Sequence, residues 1–358
     1  MLLIEPLTQD TTIYEKYQYL NSGRDPILEL GTDELGYRKR ILIDFNLDNV
    51  HSRSVDYGAT GVSKIYLNLK NATVEDATRH SITYRIGKLT DDFTEGYDKY
   101  NDYKDYYHAD TSSITGATWI YKSTGDEWTA LGADFIDGDT TEFEIDNTEP
   151  NISVNFLSTY ASLKAQYGST GGLSNVILYT TESFETKLGS YKYYSKETNS
   201  EKNPYFDYYI SIAAKETLTT GSLTHIDLAD SPILYSYNNP YEIREGDVHR
   251  FRVKCRQQFP SVNLYTTASI LSTGNLINAV LYYRINNVSD NYEFVPIRSS
   301  GTLVYTDSVG YYFYIDTTNF PKDKVYSIDL RVKEHDGSYN LTYNEKLYNN
   351  VIEFKIIE

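Results

Sequence analysis

Apolar and polar residues alternate with a period of two through most of this chain, and that pattern predicts strands. The clearest case in the first half is Lys39 to Leu47. There Ile41, Ile43, Phe45 and Leu47 point one way, while Arg40, Leu42, Asp44 and Asn46 point the other. Lys64 to Lys70 repeats the pattern with Ile65, Leu67 and Leu69, and Ser81 to Lys88 does so with Ile82, Tyr84 and Ile86. Thr141–Asp146, Asn175–Thr180 and Tyr205–Ile212 follow the same rule, after an extended opening at Thr12–Tyr17 and a short strand at Pro26–Leu30. Clusters of Gly, Asp and Asn separate the runs, as hairpin and Greek-key connections require. One segment has a different period. In Asn155 to Gly168, residues Phe156, Tyr160, Leu163 and Tyr167 fall at helical spacing and Gly168 supplies the stop, so a single short helix is expected.

Residues 91–110 are dense in Asp and Tyr, have no period and read as a long surface loop. The loop leads into Gly116–Phe135, which holds both tryptophans of the chain, Trp119 and Trp128, around a Ser-Thr-Gly-Asp turn. Two such large apolar side chains flanking one turn are expected to cap the end of a core. Lys215–Glu245 is rich in Thr, Ser, Asn and Pro, and Pro232 and Pro240 deny it regular pairing. That places a junction at 215–245 between a domain at 1–214 and another at 246–358, in keeping with 358 residues, more than one core usually serves. The second domain opens on a strand with His249, Phe251, Val253 and Cys255 on one face and Arg250, Arg252, Lys254 and Arg256 on the other. Val280–Ile285, Tyr311–Ile315, Val325–Lys333 and Val351–Ile356 complete a series spaced like an immunoglobulin-like sandwich.

Composition narrows the function. Fifty acidic against 33 basic residues give a net charge of −17, which disfavours general nucleic-acid binding and adsorption to anionic membranes. One cysteine leaves no intrachain disulfide and suits assembly in a reducing cytoplasm. Met1-Leu-Leu-Ile-Glu lacks a basic n-region, and no apolar run reaches the roughly 18 residues of a membrane span, so neither secretion nor membrane insertion is expected. The 37 tyrosines exceed what strand propensity alone asks for and fit a wet protein–protein surface.

No Gly-x-Ser-x-Gly, phosphate-binding loop or His-Glu-x-x-His motif occurs, and no enzyme activity is expected. Asp134, Asp137, Asp139 and Glu142 form an acidic loop that could attract calcium. A solvated turn is the stronger reading, because the Gly and carbonyl pattern of a dedicated loop is missing. His225, Asp227 and Asp230 suit no strand or helix face as metal ligands. Alternation turns Cys255 away from Lys254 and Arg256, as a buried structural thiol. The basic face Arg250, Arg252, Lys254 and Arg256 is the one concentrated positive feature, a candidate for contact between subunits.

Several motifs of the first domain point the same way. Arg38-Lys-Arg-Ile-Leu-Ile-Asp-Phe45 is a basic-apolar strand ending in Asp-Phe, and Ile65-Tyr-Leu-Asn-Leu69 is the next strand. Phe93-Thr-Glu-Gly96, Gly116-Ala-Thr-Trp119 and Trp128 through Gly132-Ala-Asp134 follow, then Gly171-Gly-Leu173 with Val176-Ile-Leu178. In these residues the domain resembles DNRLRE domains, jelly-roll sandwiches related to carbohydrate-binding modules of cell-surface and phage proteins. The family's naming hexapeptide is absent, and Tyr160 stands where a Trp is expected. The second domain resembles, more loosely, the Ig-like ends of phage structural proteins. The resemblance implies an all-β chain: an N-terminal jelly roll with one short helix and a C-terminal Ig-like sandwich. It also implies a non-enzymatic virion protein of a tail, neck or baseplate, without cofactor, contacting other virion proteins and copies of itself in a ring. The alternative is host adhesion through a glycan stacked on exposed Trp or Tyr of the first sandwich, with Trp119 and Trp128 as its best residues.

Overall fold

The computed structural model describes residues 1–57, 59–73, 82–100, 114–145, 151–167, 173–180, 189–198, 202–212, 224–226, 232–258, 274–276, 279–289, 292–298, 301–334 and 345–358. Strands predominate, with two short helices, and the chain is an all-β protein of stacked sheets. It divides into two compact units. The C-terminal unit gathers Met1–Ile4, Ala59–Ser63 and Tyr209–Glu358, and the N-terminal unit holds Glu5–Gly58 and Lys64–Tyr208.

In the N-terminal unit the central strand is Arg38–Asn46. It pairs antiparallel with Leu2–Tyr14 on one side and Leu173–Thr180 on the other. Beyond the latter come Ile82–Leu89 and then Phe135–Ile145. A second layer is built on residues 64–69 of the strand Ala59–Leu69, which pair with Ile152–Asn155 and whose Asn68 donates to buried Asp207. The layers meet through rings: Phe45 lies 4.4 Å from Phe206 and 6.1 Å from Phe156.

The Arg38–Asn46 strand departs from its sequence pattern, because every residue from Arg40 to Phe45 is buried on either face. Ile41, Ile43 and Phe45 face the second layer. Leu42, with Ile13, Leu89, Ile177 and Tyr179, is roofed by Phe93, Ala117, Trp119, Trp128 and Ala133. The tryptophan stretch therefore covers a sheet face and does not close the end of a core. Leu47 is not the last inward strand residue either. It opens a helix, α1 (Leu47–Asp56), capped by the Asn46 side chain, which accepts the Asn49 N–H at 2.8 Å. Leu47, Val50 and Ser54 are buried on one face of α1. The expected helix is α2 (Leu157–Tyr167), with Tyr160 and Leu163 buried; Gly168 lies outside the described residues. The opening strand begins at Leu2, earlier than expected, and shifts register between Leu7 and Gln9, just past Pro6.

The C-terminal unit has two sheets. One places Val248–Arg256 between Tyr311–Asp316 and Ile233–Ser236. The other runs Glu242–Arg244, Glu345–Ile357, Val325–Glu334, Ala279–Asn287, Tyr292–Val295. Phe251 of the first sheet lies 5.0 Å from Phe354 of the second, and Tyr283 stacks on Phe313 at 4.3 Å. Within the segment expected as a junction, Thr224–Ile226, Ile233–Ser236 and Glu242–Arg244 are strands paired into this unit. The rest of 213–231 lies outside the described residues.

A buried polar knot ties the N-terminal unit together. Asp10 accepts the Lys196 backbone N–H at 2.8 Å and gives its own N–H to Glu95, which also holds the Lys196 ammonium at 2.9 Å. Burial pushes the Asp10 carboxyl up to about 8 and that of Asp44 up to about 7. An unfolded aspartate titrates near ~3.9, so between about pH 4 and 8 the native state keeps protons that the unfolded chain releases. Their contribution to stability is complete below that window and is lost as pH rises through it. We expect the melting temperature to climb as pH is lowered from about 9 to 6, and Asp10→Asn to flatten the slope by up to ~1.4 kcal/mol per pH unit. Thermal melts with the same slope for both proteins would refute this.

Candidate functional site

The outer face of the Val248–Arg256 sheet is the most distinctive surface among the described residues. Phe251, Val253 and Cys255 are buried, so Arg250, Arg252, Lys254 and Arg256 project the other way, each half-buried. The register sets tyrosines beside them: Arg250 opposite Tyr314, Arg252 opposite Tyr312 and Lys254 opposite Tyr235. Antiparallel neighbours directly opposite share a face, so cations and rings interleave. The Arg252 guanidinium lies 5.8 Å from the Tyr312 ring and the Lys254 ammonium 3.5 Å from that of Tyr237. Tyr305 adds a further ring 5.9 Å from Tyr312.

Arg252 is fixed further by a two-pronged pair with Asp307, at 3.1 and 2.8 Å. Burial alone would raise the Asp307 carboxyl; Arg252 and the N–H groups of Val309 and Gly310 outweigh it and hold the carboxyl below its ordinary range. Asn239 seals the strand backbone, accepting the Arg252 N–H at 2.8 Å and donating to its carbonyl at 2.6 Å. The Arg256 guanidinium donates to the Gln257 carbonyl. The result is an ordered, positively charged sheet face lined with tyrosine. Such a face offers fixed cations and tyrosine rings to an acidic surface.

The other candidates fall out differently. In the acidic loop the described carboxylates of Asp134, Asp137 and Glu142 are engaged within the fold. Both Asp134 oxygens accept backbone N–H groups, from Thr129 and Ala130, each at 2.6 Å. Arg85 sits between Glu142, at 2.6 Å, and Asp137, at 4.0 Å. The side chain of Asp139 lies outside the described residues, as do Asp227, Asp230 and the side chain of His225. Among the described residues no three His, Cys, Asp or Glu side chains gather as a metal site. Cys255 is buried, and burial pushes its thiol up to about 12.

Trp119 and Trp128 are 1% and 5% exposed, which leaves no ring face on which a sugar could stack. They serve the fold instead. The buried Arg40 guanidinium lies 4.9 Å from the Trp119 ring and 5.4 Å from that of Phe135, and it donates to the Gly132 carbonyl at 2.7 Å. Trp128 donates its indole N–H to the Thr118 carbonyl at 3.0 Å.

Sequence reasoning missed a cleft of about 180 Å³ in the N-terminal unit, lined by Tyr14, Tyr17, Tyr37 and Tyr100 together with Lys16, Asp33, Arg38 and Lys39. Tyr100 packs against Tyr14 at 5.4 Å and Tyr17 at 5.9 Å. The excess of tyrosine was its only signal. No family model matches the chain, and no curated protein matches it.

The Trp119 box generates a direct test. Gly132 has φ +86°, and a Cβ there would lie 2.7 Å from the Trp119 ring and 2.8 Å from Arg40. Gly132→Ala is expected to cost about 2–3 kcal/mol through strain and displaced packing. Denaturant unfolding followed by tryptophan fluorescence measures it, and an unchanged midpoint would show that the box can relax.

Proposed function

We propose that this chain is a non-enzymatic structural protein that acts through protein–protein contacts, with a tailed-phage virion (tail, neck or baseplate) as its setting. The observation that carries the reading is the ordered Arg/Tyr sheet face on a chain of net charge −17. Arg and Tyr dominate binding energy at protein interfaces, and side chains already held in place lose little entropy on docking. The virion setting rests on the sequence resemblance of residues 1–214 and on the looser likeness of the second domain. Purified particles from cells producing the chain, labelled with an antibody against it and analysed by mass spectrometry, are expected to contain it at fixed stoichiometry. Its absence from particles while it is abundant in the lysate would overturn the proposal.

One observation favours a second reading, host-glycan binding, at a place other than the tryptophans. Tyr37 and Tyr100 are 42% and 39% exposed beside the tyrosine cleft, so their rings are open to a ligand. The cleft is smaller than the roughly 300–1,000 Å³ of drug-sized sites, room for about one sugar ring. Under this reading, saturation-transfer NMR with neutral monosaccharides detects binding with Kd near ~1 mM, abolished by Tyr37→Ala or Tyr100→Ala. No transfer to any sugar removes the reading.

A further inference from the structure

The basic face and the acidity of the rest of the chain point to one partner. We propose that Arg250, Arg252, Lys254 and Arg256, with Tyr312 and Tyr314, dock on a second copy of this chain, at its strand Phe135–Ile145. The inference rests on the structural role proposed above and names the partner.

Charge complementarity is the first argument. Among the described residues the face combines four cations with two carboxylates, Asp307 and, opposite Val248, Asp316, while the whole chain has 50 acids against 33 bases. Much of the surface that one copy offers another is therefore acidic, and like-charge repulsion disfavours any approach that avoids this face. Geometry selects the strand. Phe135–Ile145 pairs with Ile82–Leu89, and that is its one partner among the described strand pairings. It presents Asp137 and Glu142, whose side chains are 72% and 56% exposed, and Glu144, also exposed. Ile136, 38% exposed, adds an apolar contact for a tyrosine ring. Arg85 offsets part of this charge. The two surfaces differ, so the contact is head-to-tail and propagates into a ring or a filament. A single-stranded polyanion would find the same cations and rings, but the net charge of −17 opposes its approach.

Sedimentation velocity of the full chain tests this. Association is expected at low salt and is expected to weaken as salt is raised. Arg250→Glu with Arg256→Glu is expected to weaken it at least about tenfold, and so is Glu142→Lys with Glu144→Lys. Mixing the two charge-reversed proteins is expected to restore it. Should either variant fold poorly, carbodiimide cross-linking of mixed isotope-labelled and unlabelled wild-type chains reads the same contact, as an intermolecular link from Lys254 to Asp137, Glu142 or Glu144. A monomer at low salt overturns the inference, as does association indifferent to both reversals or a single-stranded oligonucleotide bound without self-association. A monomeric chain that is still found in labelled particles sinks this inference alone and leaves the structural role standing.

Discussion

Each unit is held by aromatic rings interlocked between two sheets. In the N-terminal unit the seam is Phe45, Phe156 and Phe206; in the C-terminal unit it is Phe251, Phe313, Phe354 and Tyr283. Burying one such ring stabilises by roughly 1.5–3 kcal/mol, and good ring-on-ring geometry adds about 0.5–1.5 kcal/mol. Cys255 is the only cysteine and is buried, so no intrachain disulfide backs up the seams. Strand register is therefore a matter of keeping rings inward. A one-residue slip of Val248–Arg256 would turn Phe251 to solvent and drive Arg250 and Arg252 into the seam.

That dependence explains what could be read from the sequence. Where one face of a strand is buried, the period of two gave the answer: Phe251, Val253 and Cys255 lie inward, with Arg252 and Lys254 only half-buried opposite them. Where a third layer covers the outer face, the pattern misled. Arg40 and Asp44 read as solvent-facing, yet they are buried beneath or beside the tryptophan stretch, and only contacts distant in sequence make that so. Helix α1 was hidden because its apolar face is short, and Leu47 continues the strand alternation one step too far; the Asn46 cap was the local signal that it begins there. The tyrosine cleft joins residues 14–39 to Tyr100, a combination that no local period encodes.

The charges follow a similar logic. Many of the described cations have a carboxylate within the fold: Arg38 with Glu15, Lys39 with Glu29, Arg53 with Glu5, Arg284 with Asp329. Such half-buried pairs fix geometry more than they stabilise, because desolvation offsets much of the attraction. The strand from Val248 to Arg256 is arranged differently. It places four cations in one row, with Asp307 paired to Arg252 and tyrosine rings beside Arg252 and Lys254.

Ring support changes what the row can do. A guanidinium or ammonium resting on an aromatic face keeps its charge while losing side-chain freedom, whereas one paired with a carboxylate is neutralised. Lys254, resting on the Tyr237 ring, therefore keeps its charge while its position is held, whereas Asp307 offsets part of the charge of Arg252. The surface is also a sheet face, with its backbone polar groups satisfied by neighbouring strands and by Asn239. Small substrates are gripped in concave sites that remove most of their surface from water. A sheet face spreads its contacts over a broad area, which is the geometry that the protein–protein contact proposed above requires.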